Sequence, residues 1–524
     1  MPETVQLETM SDFSRLHAEL RGDRTALWFA GHETSFRQLD LGSNRVANAL
    51  LRDGGTPGAR VALYVKDSDR TVEAMLGLAK ARVVAVPINW RLKAAEVAFV
   101  LRHSEANLLL ADAELLPSIR GILADAPHVR KVVVLSGPAV GDESYAEWLT
   151  SADTTDPLLP TTPDDVVVQM YTSGTTGRPK GVQLAHRTFF AVVANMLRAG
   201  DPWIGWNPED ITLHCVPLYH IGGLWWAITC LAAGGRLVMM DTFAPERALA
   251  LIAGHRVTKA GFVPAMLHML LAHPACARTD FSSLRYIVYG GSPIATDLLQ
   301  AAMKTFGCRF AQIYGLTETG NTAVCLRPED HHGSLKRLTA AGRPYPGVSL
   351  RIVDQAHNLV APEQTGEILV HSPATMVAYW KDEEATRKML TDGWIHTGDA
   401  GYLDRDGYLY VCDRITDMII CGSENVYPAE VESALCEHEA VAEAAVIGVP
   451  HDQWGEAIAA LVVLKPGHRC SAAQLLVRVR QRLADYKVPH RIEFVNQLPR
   501  NASGKVLKTE LREPFWRGRA RNVN

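Results

Sequence analysis

The chain has 524 residues, 47% of them apolar, which is more than one hydrophobic core usually organises and predicts two or more domains. Its 53 basic and 57 acidic residues leave a formal net charge of −4, which argues against nucleic acid or stable membrane association as the main business. Nine cysteines, scattered from Cys215 to Cys470 without paired spacing, read as reduced thiols of a cytoplasmic protein and not as a disulfide framework or a metal site.

In chain order, Met1 to Met10 lacks a basic segment followed by an apolar one, so no signal peptide is expected. From about residue 10 to 165, helical stretches such as Leu41 to Arg52 and Thr71 to Ala81 alternate with β-branched runs such as Arg60 to Val65 and Val83 to Pro87. That alternation predicts an α/β layered unit, and residues 166 to about 340 repeat it. The richest apolar run, Leu224 to Met240, is broken by Gly234, Gly235 and Arg236, so no membrane span is expected. Between about 342 and 413 the pattern changes to short strands, Val348 to Val353, Gly366 to His371 and Tyr408 to Val411, which predicts a small β-rich subdomain. Beyond Arg414 a compact α+β pattern follows: helices over Pro428 to Glu437 and Cys470 to Leu483, strands over Ala442 to Val449 and Glu456 to Leu464. The expected fold is therefore α/β, a large N-terminal domain over 1–413 and a small α+β domain over 414–524.

The most informative stretch is Tyr171-Thr-Ser-Gly-Thr-Thr-Gly-Arg-Pro-Lys-Gly-Val182. Gly174, Gly177 and Gly181 let backbone amides approach a polyphosphate, Thr172, Ser173, Thr175 and Thr176 add hydroxyls, and Arg178 and Lys180 add positive charge. It is not a Walker A loop, which needs Gly-Lys followed by Ser or Thr at a helix start. Val166 to Met170 before it and Val182 to Leu184 after it are strand-like, so the loop is expected to join two strands.

Tyr171 to Val182 resembles the signature loop of the adenylate-forming superfamily: acyl-CoA synthetases, luciferases and peptide-synthetase adenylation domains. Pro217-Leu-Tyr-His220, Tyr289-Gly-Gly-Ser-Pro293, Tyr314-Gly-Leu-Thr-Glu318, Trp394 to Asp399, Asp413-Arg414 and Asn501-Ala-Ser-Gly-Lys505 follow in the superfamily's order, so the resemblance spans the chain. It implies ATP and Mg2+, with the phosphates on the loop just described. Tyr314 and Gly315 with Gly290, Gly291 and Ser292 would hold adenine, and Thr317 the α-phosphate. Glu318 would hold the metal, since magnesium takes one or two carboxylates plus phosphate oxygens. Asp399 and Arg414 would take the ribose hydroxyls, although an Asp-Arg pair is otherwise a structural ion pair. Lys505 would bridge carboxylate and α-phosphate as pyrophosphate leaves, where its charge counts most. The resemblance also implies a mobile C-terminal domain, a hinge near Thr416 and a loop around Gly422 lining a thiol tunnel. Thr416 and Ser423 depart from the usual residues there, as does Ala378 in Met376-Val-Ala-Tyr-Trp380.

His220 resembles the aromatic gate beside the substrate carboxylate, with a backbone-bonded core histidine as the alternative. Amino-acid-activating relatives carry an Asp near this helix, whereas this chain reads Leu218-Tyr219-His220-Ile221, so the acid is expected to be uncharged and largely apolar beyond its carboxylate. Trp225 and Trp226 belong either to the pocket wall or to the core. The leading expectation is an AMP-forming acyl-CoA synthetase with CoA as co-substrate. The alternatives are transfer to a carrier-protein pantetheine or an amine, and a non-catalytic nucleotide-binding homologue. The chain is compatible with a homodimer.

Overall fold

The computed structural model describes residues 7–172, 179–201, 203–421, 424–451, 455–500 and 506–517. By their contacts they form two compact units, Met1–Leu350 with Val370–Ile395, and Arg351–Leu369 with His396–Asn524.

The first unit holds two mixed sheets. One has the strand order Ala378–Tyr379, Lys180–Ala185, Val166–Thr172, Val84–Pro87, Arg60–Tyr64, Leu108–Asp112, Lys131–Ser136, Glu143–Ser144. The other runs Arg343–Pro344, Val324–Leu326, Arg309–Tyr314, Tyr286–Gly290, Lys259–Phe262, Ile211–His214, Arg236–Met239, Thr25–Phe29, His32–Ser35. Both are parallel in the middle and antiparallel at an edge. Central strands read as unbroken apolar runs because helices cover both faces, and Leu108–Asp112 is buried at every position. The helix Phe36–Arg52 begins five residues before the apolar stretch that signals it. Ser35 Oγ there accepts the Gln38 N–H at 3.2 Å while Gln38 Oε1 accepts the Ser35 N–H at 2.8 Å, a reciprocal cap.

The two layered units expected in sequence exchange strands. Thr25–Phe29 and His32–Ser35 join the sheet of the later segment, while Val166–Thr172, Lys180–Ala185 and Ala378–Tyr379 join that of the earlier one. Local patterning marks a strand but not its partner, and the partner is set by which buried edge remains to be paired. The apolar run over Leu224 to Met240 splits into a helix, Ile221–Ala232, and a strand, Arg236–Met239, around Gly234 at φ +76°. Among the described residues no helix is long and apolar enough to cross a membrane.

Largely in the second unit, Ser349–Val353, Gly366–His371, Trp394–Leu403 and Leu409–Arg414 lie side by side in that order. A further sheet orders Glu424–Val426, Ile419–Cys421, Gly455–Leu464 and Val441–His451, with Arg491–Phe494 parallel to Gly455–Leu464. The helices Pro428–Cys436 and Ala472–Arg480 cover it through Val431, Leu435, Leu475 and Val479, all buried.

Candidate active site

In the first unit, three predicted motifs emerge at strand ends. Val166–Thr172 and Lys180–Ala185 pair antiparallel, Tyr171 opposite Gly181 and Thr172 opposite Lys180, so the phosphate-loop motif does join two strands. Its central residues, Ser173, Gly174, Thr175, Thr176 and Gly177, lie outside the described residues. Tyr286–Gly290 and Arg309–Tyr314 are neighbouring parallel strands with Gly290 opposite Ile313, so Gly290, Gly291 and Ser292 leave one strand end beside Tyr314 and Gly315 on the next. Ligands in open α/β sheets sit outside such carboxyl ends. A side chain at Gly290 would meet the Ile313 carbonyl at 2.5 Å, and Gly291 adopts φ +82°, so both positions require glycine. Ser292 is exposed; Tyr314 and Thr317 are half-buried.

Glu318 sits in the single 3-10 turn Thr317–Thr319 and is 7% exposed. Tyr379 Oη donates to Glu318 Oε1 at 2.7 Å, and the Met376 N–H donates to the Glu318 carbonyl at 2.8 Å. Lys180 Nζ stands 5.0 Å from the centre of the same Tyr379 ring, so one tyrosine links the acidic turn to the base of the phosphate loop. Ala378 precedes it in a short strand, and its φ is not positive, so the methyl in place of the usual hydrogen is accommodated.

His220 caps the helix Ile221–Ala232 from extended backbone. Its Nε2 is buried with no hydrogen-bond partner among the described residues. Burial, with Arg91 nearby, holds its pKa down to about 4, so the ring is neutral. Gly222, two residues on, approaches Asn321 of the Tyr314–Asn321 turn, a Cβ there lying 3.7 Å from Asn321 Oδ1. The helix start and the acidic turn are thereby neighbours. Trp225 and Trp226 are 1% and 4% exposed; Trp226 Nε1 donates to the Leu213 carbonyl at 3.2 Å, so both belong to the core.

In the second unit Asp399 lies opposite Arg414 across two strands, with Arg414 Nε 2.7 Å from Asp399 Oδ1. Thr397 Oγ1 accepts the Asp399 N–H at 3.1 Å and donates to the Ile368 carbonyl at 2.7 Å, which holds the Asp399 turn to the neighbouring strand. Asp413 accepts the Ala429 N–H at 2.9 Å and lies 3.5 Å from Lys508 Nζ, which pairs with Glu432 at 2.8 Å. Lys505 and Gly422 lie outside the described residues; the segment 501–505 is bracketed by an antiparallel bridge between Arg500 and Val506.

Several contributors have no motif signal. Tyr379 and Thr397 fall inside recognised segments, but nothing local marks their contacts. Asp67 is buried against the acyl-side segment, accepting the Leu218 N–H at 3.1 Å and lying 2.9 Å from His214 Nε2, so an acid does stand there with its oxygens engaged. A flat ring over Gly290 and Gly291 fits a backbone that carries no side chains there, and a cation at Glu318 fits a carboxylate that is 7% exposed and accepts from Tyr379 through Oε1.

The AMP-binding enzyme family matches residues 15–380, and the AMP-binding enzyme C-terminal domain matches residues 430–505. A fatty acid–[acyl-carrier-protein] ligase of Streptomyces coeruleorubidus is 45% identical over 99% of both chains. A long-chain-fatty-acid–CoA ligase of Mycobacterium tuberculosis is 36% identical over 92% of this chain and 93% of that one. The crystal structure of an anthranilate CoA ligase in complex with anthranoyl-AMP superposes with a TM-score of 0.89 at 29% identity, covering 97% of this chain and 98% of that one. The chain belongs to the adenylate-forming superfamily of AMP-binding enzymes. Enzymes of this superfamily use ATP to form adenylates.

Proposed function

We propose that the protein activates a largely apolar, fatty-type acid as its acyl-adenylate and hands the acyl group to a phosphopantetheine thiol, with an acyl-carrier protein as the acceptor. The observation that carries the acceptor is the 45% identity to a carrier-protein ligase over 99% of both chains, against 36% to the CoA ligase. The apolar acid is supported by the segment Leu218 to Ile221, where the buried Asp67 is engaged by His214 and the Leu218 N–H and offers no anchor for an ammonium.

In the first half-reaction a carboxylate oxygen attacks the α-phosphorus of ATP, the bond to the bridging oxygen breaks, and pyrophosphate leaves with the electron pair. Thr172 to Gly177 and Lys180 cradle the phosphates, Thr317 orients the α-phosphate, and Asp399 with Arg414 holds the ribose. Glu318, steadied by Tyr379, would hold a magnesium ion, which when bound neutralises charge on the phosphates. Lys505 stabilises the charge shared between carboxylate and α-phosphate. His220, neutral and with no partner at Nε2 among the described residues, would direct the carboxylate of the acid without adding charge. In the second half-reaction the thiol sulfur attacks the acyl carbon, its proton passes to water, and AMP leaves as thioester forms. The domain reading, 1–413 and 414–524 with a pivot at Thr416, accompanies this proposal.

Coenzyme A as acceptor is the second reading, favoured by the CoA-ligase relatives. Incubation with ATP, Mg2+ and a panel of fatty and aryl acids, offering holo-carrier protein or CoA separately, distinguishes the two by mass spectrometry. Acylated carrier protein at a rate at least tenfold above acyl-CoA is expected. Acyl-CoA alone would reverse the assignment, and no pyrophosphate release with any acid would overturn the activity.

A further inference from the structure

His357, Glu367 and His396 meet on the second unit; none of the three is assigned above to nucleotide, acid or thiol, although His396 lies three residues before Asp399 on the same strand. Glu367 lies on Gly366–His371, His396 on the adjacent strand Trp394–Leu403, and His357 in the turn that follows Ser349–Val353. One possible ligand atom from each lies within 4.8 Å of the others. His396 Nδ1 is 3.1 Å from Glu367 Oε2, and the rings of His357 and His396 meet edge to face at 5.4 Å between centroids. The turn presenting His357 is held firmly. Asp354 Oδ1 accepts the N–H groups of Ala356 and Asn358, both at 2.9 Å, and the Asp354 N–H donates to the Asn358 carbonyl at 2.9 Å.

We propose that these three side chains bind a divalent transition-metal ion of the zinc class. Two imidazoles and one carboxylate suit zinc, cobalt, nickel or copper and are a poor set for magnesium or calcium, which take oxygen ligands. Bonds of about 2.0–2.2 Å would bring the ligand atoms closer together than they now stand, a change that side-chain rotation can make. His357 is exposed and the other two are half-buried, so solvent completes the coordination. The remaining Glu367 oxygen, Oε1, accepts the Gly398 N–H at 3.2 Å, the kind of outer contact that orients a ligating carboxylate. The ion would thus tie the His357 turn to the strand that carries Thr397 to Asp399.

Metal-free protein titrated with Zn2+ by calorimetry, and with Co2+ by visible absorption, tests this without reference to turnover. One ion per chain at micromolar affinity is expected, undiminished by millimolar Mg2+, together with a rise in Tm on Zn2+ addition. His357→Asn removes a ligand while suiting the left-handed backbone at φ +62°, and His357→Gly serves as a second variant with the same tolerance. Either should keep the Tm measured in chelator and bind at least tenfold more weakly. Wild-type protein that binds no ion at 100 μM Zn2+ (about a hundredfold above the expected Kd) overturns the proposal. So does unchanged affinity in both variants, or a thiolate charge-transfer band with Co2+, which would place the ion on cysteine.

Discussion

Asp399 has a structural contact and, by the proposal above, a binding role as well. It is 5% exposed and tied to Arg414 at 2.7 Å, which by itself is an ordinary interior ion pair. Ribose hydroxyls would add charge-assisted hydrogen bonds of about 1.5–3 kcal/mol, so Asp399→Ala should raise the KM for ATP by roughly 10- to 100-fold. A KM within twofold of wild type would leave only the structural role. His331 offers a pH test at the same scale. Its Nε2 meets Tyr289 Oη at 3.0 Å and its Nδ1 the Arg327 carbonyl at 2.8 Å, and burial holds its pKa down to about 4, against an ordinary 6.5. Between those values the unfolded chain binds a proton that the folded one refuses, so stability present above pH 6.5 is lost as pH falls towards 4. His331→Gln cannot titrate, so the fall in Tm between pH 7 and pH 5 should shrink relative to wild type. An identical fall in both proteins would show that this ring is not one of the acid-sensitive groups.

Among the elements, the helix Ile221–Ala232 places His220, and its entry is unusually close to the preceding chain. A methyl at Gly223 would collide with the carbonyl oxygens of Val216 and Pro217. Overpacking of this kind costs about 1–3 kcal/mol, so Gly223→Ala should lower Tm and, by shifting His220, raise the KM for the acid. Differential scanning calorimetry with steady-state kinetics checks both; a variant unchanged in both would mean that the helix start has room to move. The strand pair Val166–Thr172 and Lys180–Ala185 works differently, since its register alone brings Thr172 opposite Lys180 and so closes the phosphate-loop motif at its base.

At the scale of the whole molecule the two half-reactions can be separated. Lys505→Ala should slow adenylation by roughly 10²- to 10³-fold, the usual effect of removing one preorganised charge stabiliser, while thioester formation from supplied acyl-adenylate survives. Equal loss in both steps would make Lys505 a structural residue. Thr416 lies in the single turn Ile415–Asp417, and Asp417 is held by Arg512, whose Nη2 donates to its carbonyl at 3.0 Å. Proline locks φ near −65°, so Thr416→Pro should leave adenylation intact and cut acyl transfer by at least about tenfold if the chain pivots there. Should Asp417→Pro block transfer while Thr416→Pro blocks neither step, the pivot lies one residue later.

The ordered motifs, and most of the strands and helices around them, were legible in the sequence because each depends on local chemistry. Glycine at Gly291 answers a backbone φ of +82°, and unbroken apolar runs such as Leu108–Asp112 answer burial on both faces. What the tertiary structure alone decided are contacts between residues far apart in the chain. Tyr379 reaches Glu318 across 61 positions, Asp67 reaches His214 across 147, and Trp225 and Trp226 turn into the core instead of remaining free to wall a pocket. The exchange of Thr25–Phe29 and Val166–Thr172 between sheets belongs to the same group. Periodicity records which face of an element is buried, but not what it is buried against. That choice follows from pairing every strand edge and filling one shared interior at once, a condition on the whole chain that no local segment carries.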